Sequence, residues 1–184
     1  MKLQNTKTWQ LQGNPIECGS EVYCVRYSPS GELLAFATHL DIQIYNVGTR
    51  ERVASFKAHT EINYSLAWTP DGRHLLTGGD KDDPTIRKWD ALTWKQVSDP
   101  WTGHTSYVNA IAVNPAGTLV ASASHDEHVR LWRLSDRQTI VIFKHSSLTT
   151  CVSFSMDGKY IFSGGGDKII SEWAVPNSKA LSRP

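Results

Sequence analysis

The sequence predicts an all-β chain built from four tandem copies of one unit. Three observations carry this. Four segments of the 184 residues align on one another, with Pro29, Pro70, Pro115 and Met156 separated by 41, 45 and 41 residues. Within each segment apolar side chains alternate with period two between Pro-x-Gly and Gly/Asp turns, which is the pattern of strands joined by tight hairpins. No stretch of ten residues or more holds a helical period.

The elements follow in order. In the first unit, from Cys18, Val22, Cys24 and Arg26 alternate with Tyr23, Val25 and Tyr27 before a Ser-Pro-Ser-Gly turn. Leu33-Leu34-Ala35-Phe36 is a second strand, Ile42-Gln43-Ile44-Tyr45 a third, and Glu51–Phe56 a more polar fourth. The second unit runs from His59 through Trp68-Thr69-Pro70-Asp71-Gly72 to Trp89. Its four extra residues fall in lengthened turns around Lys81-Asp82 and Asp99-Pro100. The third opens at Gly103-His104 and ends Val129-Arg130-Leu131-Trp132, with a fourth strand over Arg137–Phe143. The last opens at Lys144-His145 and ends at Trp173. Unit boundaries fall near 18–57, 58–102, 103–143 and 144–173, in one domain spanning 1–184, with a tail over 174–184.

Composition narrows the function. Nineteen Lys+Arg against 18 Asp+Glu leave a net charge of +1, so no basic excess exists to displace counterions from a nucleic-acid backbone. Seven Trp, six Tyr and five Phe argue against disorder. No apolar run is long enough to span a bilayer, and the first seven residues carry no secretory h-region. Three cysteines, none at CxxC spacing, suggest unpaired thiols in a reducing, cytoplasmic setting and no zinc site. We expect no metal and no cofactor.

Gly103-His104, Asn114-Pro115-Ala116-Gly117, Ser122-Ala123-Ser124-His125-Asp126 and Val129-Arg130-Leu131-Trp132 resemble one WD repeat. The same marks recur in units two and four and, degraded, in unit one. The resemblance implies a β-propeller of four-stranded antiparallel blades arranged radially around a channel. It further implies a hydrogen-bonded tetrad in each regular blade: His59, Thr77, Asp83 and Trp89; His104, Ser122, Asp126 and Trp132; His145, Ser163, Asp167 and Trp173. A buried indole N–H needs an acceptor, and a hydroxyl accepts from it while donating onward. A Ser/His/Asp set also suggests hydrolase chemistry, but threefold recurrence with a Trp each time favours structure. In unit one Cys18 replaces the His, Tyr45 replaces the Trp and His39 stands where the Asp belongs, so this blade should be the least rigid.

Two other patterns carry less. Gly164-Gly165-Gly166-Asp167 lacks the Lys-Ser/Thr and the helix of a phosphate loop. Asp80, Asp82 and Asp83 offer oxygens to a cation but fit a solvated turn better.

The resemblance places a partner-binding face at the starts of the first strands and beside the tetrad aspartates. The matched positions are Glu21, Tyr23, Ile62, Tyr64, Tyr107, Asn109, Leu148, Thr150, Asp82 and His125. Exposed aromatics there would anchor a partner. Lys7–Gln12 alternates like a fourth strand, whereas Pro176 and Pro184 disfavour one after Trp173. Thr8, Trp9, Gln10 and Leu11 are therefore expected to close a ring. Four wedges of this family cover about half a turn, so we expect a homodimer of four plus four blades, each N-terminal strand completing the other chain's last blade. The function expected is a non-enzymatic scaffold for a protein or peptide, without nucleic-acid or membrane binding. The alternatives are half of a larger propeller completed by another chain, or a glycan-binding propeller.

Overall fold

The computed structural model describes residues 15–176 in full, together with the backbone of two short N-terminal strands. Those two, β1 (Leu3–Gln4) and β2 (Leu11–Gln12), pair antiparallel, Gln4 facing Leu11. Leu11 thus finds its ladder partner in its own N-terminal segment and not at a blade edge. Thr8, Trp9 and Gln10 lie outside the described residues.

Four antiparallel sheets follow, each with its strands in sequence order. Blade 1 holds β3 (Val22–Tyr27), β4 (Leu33–Thr38), β5 (Ile42–Asn46) and β6 (Arg52–Phe56). Blade 2 holds β7 (Ser65–Trp68), β8 (His74–Gly78) and β9 (Ile86–Asp90). Blade 3 holds β10 (Val108–Val113), β11 (Leu119–Ser124), β12 (His128–Arg133) and β13 (Thr139–Lys144). Blade 4 holds β14 (Thr149–Phe154), β15 (Tyr160–Gly165) and β16 (Ile170–Ala174). There is no helix among the described residues.

Blade 2 lacks a regular fourth strand. Its two inserted residues and Pro100, which has no N–H to donate, reduce that strand to isolated bridges from Trp89 to Gln96 and from Ile86 to Trp101. Trp94 and Ser98 take positive φ between them.

Because side chains alternate along each strand, every blade has two faces, and the core lies between blades. Ala35, Ala37, Ile42 and Ile44 of blade 1 pack on Leu66, Trp68, Leu75 and Trp89 of blade 2. Leu76 and Ile86 of blade 2 pack on Val108, Ile111, Val120 and Trp132 of blade 3. Leu119, Ala121, Val129 and Leu131 of blade 3 pack on Val152, Phe154, Ile161 and Trp173 of blade 4. Each large side chain fully buried in these seams contributes about 1.5–3 kcal/mol.

The rim adds a regular contact. Gly72, Gly117 and Gly158 occupy the left-handed region, where a side chain is strained. A Cβ at each would meet, respectively, the Pro29, Pro70 and Pro115 ring of the preceding blade at 3.4–3.8 Å. The glycine run of blade 4 also has a steric origin, since a Cβ on Gly165 would overlap the Leu148 carbonyl oxygen.

Candidate functional site

In blades 2, 3 and 4 the hydrogen bonds run one way. The Trp132 indole N–H donates to Ser122 Oγ at 2.8 Å, and the hydroxyl lies 2.7 Å from His104 Nε2. His104 Nδ1 then lies 2.7 Å from Asp126 Oδ2. An ionised carboxylate only accepts, so His104 donates to Asp126 at Nδ1, and in its neutral form accepts from the Ser122 hydroxyl at Nε2. Burial pushes the His104 pKa down, in keeping with that neutral form.

Blade 2 repeats the chain through Trp89, Thr77, His59 and Asp83 at 3.0, 2.8 and 2.9 Å. Blade 4 repeats it through Trp173, Ser163, His145 and Asp167 at 2.8, 2.8 and 3.0 Å. Burial works to raise the Asp83 and Asp126 carboxyls. The hydrogen bonds and charges around them prevail and hold both at about 2. The His145 hydrogen bond lowers Asp167 in the same sense. The Thr77 and Ser122 hydroxyls sit in residues with no exposed surface, each already accepting an indole N–H, so neither is open to a substrate from solvent. Asp80 is buried as well. Its carboxylate accepts the backbone N–H groups of Ile62, Asp82 and Asp83 and so builds the lengthened turn.

Blade 1 solves its centre differently. Phe36, eighteen residues after Cys18, stands where Thr77, Ser122 and Ser163 stand. Its ring packs 5.3 Å from that of Tyr45. The Tyr45 hydroxyl donates to Gln43 Oε1, and Gln43 Nε2 donates to the Cys18 carbonyl and to Asp41 Oδ1. Thr38 and Ser55 also donate to Asp41. The sequence reading missed Phe36, Gln43 and Asp41. Counting eighteen residues from Cys18 was a signal for the first of them.

At the other end of the strands, four of the face residues named above come together. The Tyr23 and Tyr64 rings lie 5.2 Å apart, Tyr64 and Tyr107 5.2 Å, and Tyr107 and His125 4.9 Å. This row crosses blades 1, 2 and 3. Backbone irregularity builds it. The β3–β4 register shifts between Val22 and Cys24, which leaves Tyr23 out of the ladder, and Tyr64 precedes β7 at the matching place. A bulge of this kind re-aims the side chain it releases. Tyr23 is exposed, whereas Tyr64, Tyr107 and His125 are half-buried. Burial, with Tyr107, Tyr23 and Asp80 alongside, raises the Tyr64 hydroxyl pKa.

The other face residues are arranged otherwise. Asn109 occupies the bulge of β10, but its side-chain amide donates to the Thr149 carbonyl at 2.7 Å. That amide fastens blade 3 to blade 4. Thr150, at the β14 bulge, donates to its own blade at Gly164, and Leu148 is exposed nearby. Glu21 lies 3.7 Å from His39, Ile62 is half-buried and Asp82 is exposed in the lengthened turn. None of these six joins the aromatic row.

The family model described as "WD domain, G-beta repeat" matches residues 50–90, 94–133 and 137–173, more than half of the chain. Periodic tryptophan protein 2 of Arabidopsis thaliana is 26% identical over 83% of this chain and 22% of its own length. A coronin-like protein of Saccharomyces cerevisiae is 27% identical over 92% of this chain and 28% of its own length. Protein groucho of Drosophila melanogaster is 24% identical over 86% and 21%. The chain spans less than a third of each of these relatives.

Proposed function

Because the chain belongs to the WD domain, G-beta repeat family, we propose that it is a non-catalytic scaffold for a protein or peptide segment docking across Tyr23, Tyr64, Tyr107 and His125. Members of this family are generally interaction scaffolds without catalytic activity. The observation that supports this docking site is the continuity of the aromatic row over three blades. Such rings present apolar faces and hydroxyl tips together, at low conformational cost to a partner. A peptide array and a glycan array, probed with the wild type and Tyr64→Ala, test it. Peptide ligands should lose about tenfold or more in affinity, about 1.4 kcal/mol, with the melting temperature unchanged. Peptide binding indifferent to Tyr64→Ala overturns the site, and glycan binding abolished by it favours the glycan reading.

We further propose that two copies close a ring of eight blades. The support is a comparison of matched positions. Asn63, Val108 and Thr149 are buried against the preceding blade, but Val22, their counterpart in blade 1, is exposed. Tyr27 is 50% exposed where Trp68 is buried. On blade 4, Phe162 and Ile170 are exposed where Ala121 and Val129 of blade 3 are buried, and Ile170 reaches 82%. These are the two kinds of face that meet at every internal seam. Sedimentation equilibrium should give twice the mass of one chain. A compact monomer at micromolar concentration overturns the pairing, and closure by a different chain then takes its place.

A further inference from the structure

The three internal seams are built alike at their inner ends and differ at the rim. Between blades 1 and 2, Leu33 and Ile44 face Trp68 and Trp94 in one apolar cluster. Between blades 3 and 4, Leu119 and Leu131 face Phe154 and Val175. Between blades 2 and 3 the matching positions are His74 and Lys88, and the facing residues are Val113 and Leu134. Two apolar side chains have become basic ones, and a large ring has become a valine. The missing volume is a cavity of about 740 Å³ lined by His74 and Lys88 from one blade and Thr118, Arg133 and Leu134 from the next, with Pro70 beside it. It opens among the turns that follow the first and third strands, the opposite end of the blades from the tyrosine row.

The lining carries Lys88 and Arg133 against a single carboxylate, Asp71. Arg133 pairs with Asp136 at 2.6 Å, and Arg137 reaches Asp99. The nearest turn carboxylates serve their own loops. Asp71 accepts from Thr69 and the Arg73 N–H, and Asp90 accepts from Thr93. The Lys88 ammonium makes no ion pair or hydrogen bond among the described residues. Burial, then the Arg137 charge, lowers its pKa, as for an ammonium partly withdrawn from water without a counterion.

We propose that the cavity between blades 2 and 3 binds a small organic anion, its phosphate or carboxylate group on Lys88 and its apolar body against Leu134, Leu119 and Pro70. The site is independent of the protein-docking row. A cavity of this size holds a small ligand and leaves only a few polar groups to set its orientation. The anion would supply the charge that the seam lacks, and Lys88 would select it against a neutral molecule of the same shape.

Isothermal titration with phenyl phosphate, benzoate and phenol tests this on the wild type, Lys88→Leu and Lys88→Arg. At least one of the two anions should bind tenfold or more tightly than phenol. The tighter of the two identifies the headgroup. Lys88→Leu should abolish the preference while keeping the fold, because leucine restores the residue class of Ile44 and Leu131 at this position. Lys88→Arg should retain the preference, which separates charge from loss of structure. Anions no tighter than phenol, or a preference that survives in Lys88→Leu, overturn the proposal.

Discussion

Blades 1 and 3 wrap four strands in the same order around two different centres. Blade 3 closes on a single file of donors from Trp132 through Ser122 and His104 to Asp126. Blade 1 replaces the middle of that file with the Phe36 ring. It moves the polar partners outward along β5, where Gln43 and Asp41 tie Tyr45, Cys18, Thr38 and Ser55 together. The strand registers are nevertheless parallel, with a bulge at the start of the first strand and another at the fourth in both blades. What the architecture requires is a centre without orphaned polar groups, and more than one residue set supplies it. The family model, whose matches begin at residue 50, corresponds to the Trp-centred solution alone.

The sharpest way to break this comparison is at Ser122. Ser122→Ala removes the acceptor of Trp132 and the donor to His104 at once, leaving two buried groups unpaired. The expected loss is about 3 kcal/mol, read from urea unfolding midpoints. Trp132→Phe orphans one group and should cost less than Ser122→Ala.

Acid is the next lever. Asp83 and Asp126 fall from 3.8 to about 2 in the folded chain, so each contributes stability above the unfolded value and loses it as pH drops toward 2. The amount is about 2 kcal/mol per carboxylate. His104, held below its ordinary 6.5, adds a gentler loss of stability that begins as pH falls through that value. Unfolding free energy should therefore decline below pH 6.5 and steepen below about 4. Asp126→Asn should remove its share of the steep part. A flat profile from pH 5 to 2 would show that these carboxylates do not carry the tetrads.

Tyr45→Phe should cost about 1 kcal/mol, one neutral hydrogen bond to Gln43, and less than either change in blade 3. Tyr23→Ala, on an exposed bulge residue, should stay within about 0.5 kcal/mol in thermal melts. If Tyr45→Phe proves worse than Ser122→Ala, the two centres have been assigned in the wrong order of importance.

The tetrads were legible because each rests on constant spacing within one unit, from His to hydroxyl to Trp. Blade 2 stretched that spacing without hiding it, since its extra residues lie in turns. The aromatic row was legible only as a set of candidates. Tyr23, Tyr64 and Asn109 share one position in their units, yet two join the row and one fastens a seam. A register shift is a property of the paired backbone, and strand patterning in one segment does not reveal it. The cavity was missed for a related reason. His74 and Lys88 read as the polar half of an alternating strand. Their meaning appears only beside Leu33, Ile44, Leu119 and Leu131, the matched residues that are packed in the other seams.

The rim contacts give the chain a direction. Each blade lays a proline on the glycine turn of the next, so the series has two unlike ends. Gly31, at φ 76°, has nothing within 4 Å of where a side chain would begin. At the other end Met156 takes the proline's place and is 96% exposed. A blade that continued the series would lay a side chain over Gly31 at one end or set a glycine turn under Met156 at the other. Oxidation of Met156 to the sulfoxide would make that end of the series polar while leaving the three internal seams untouched.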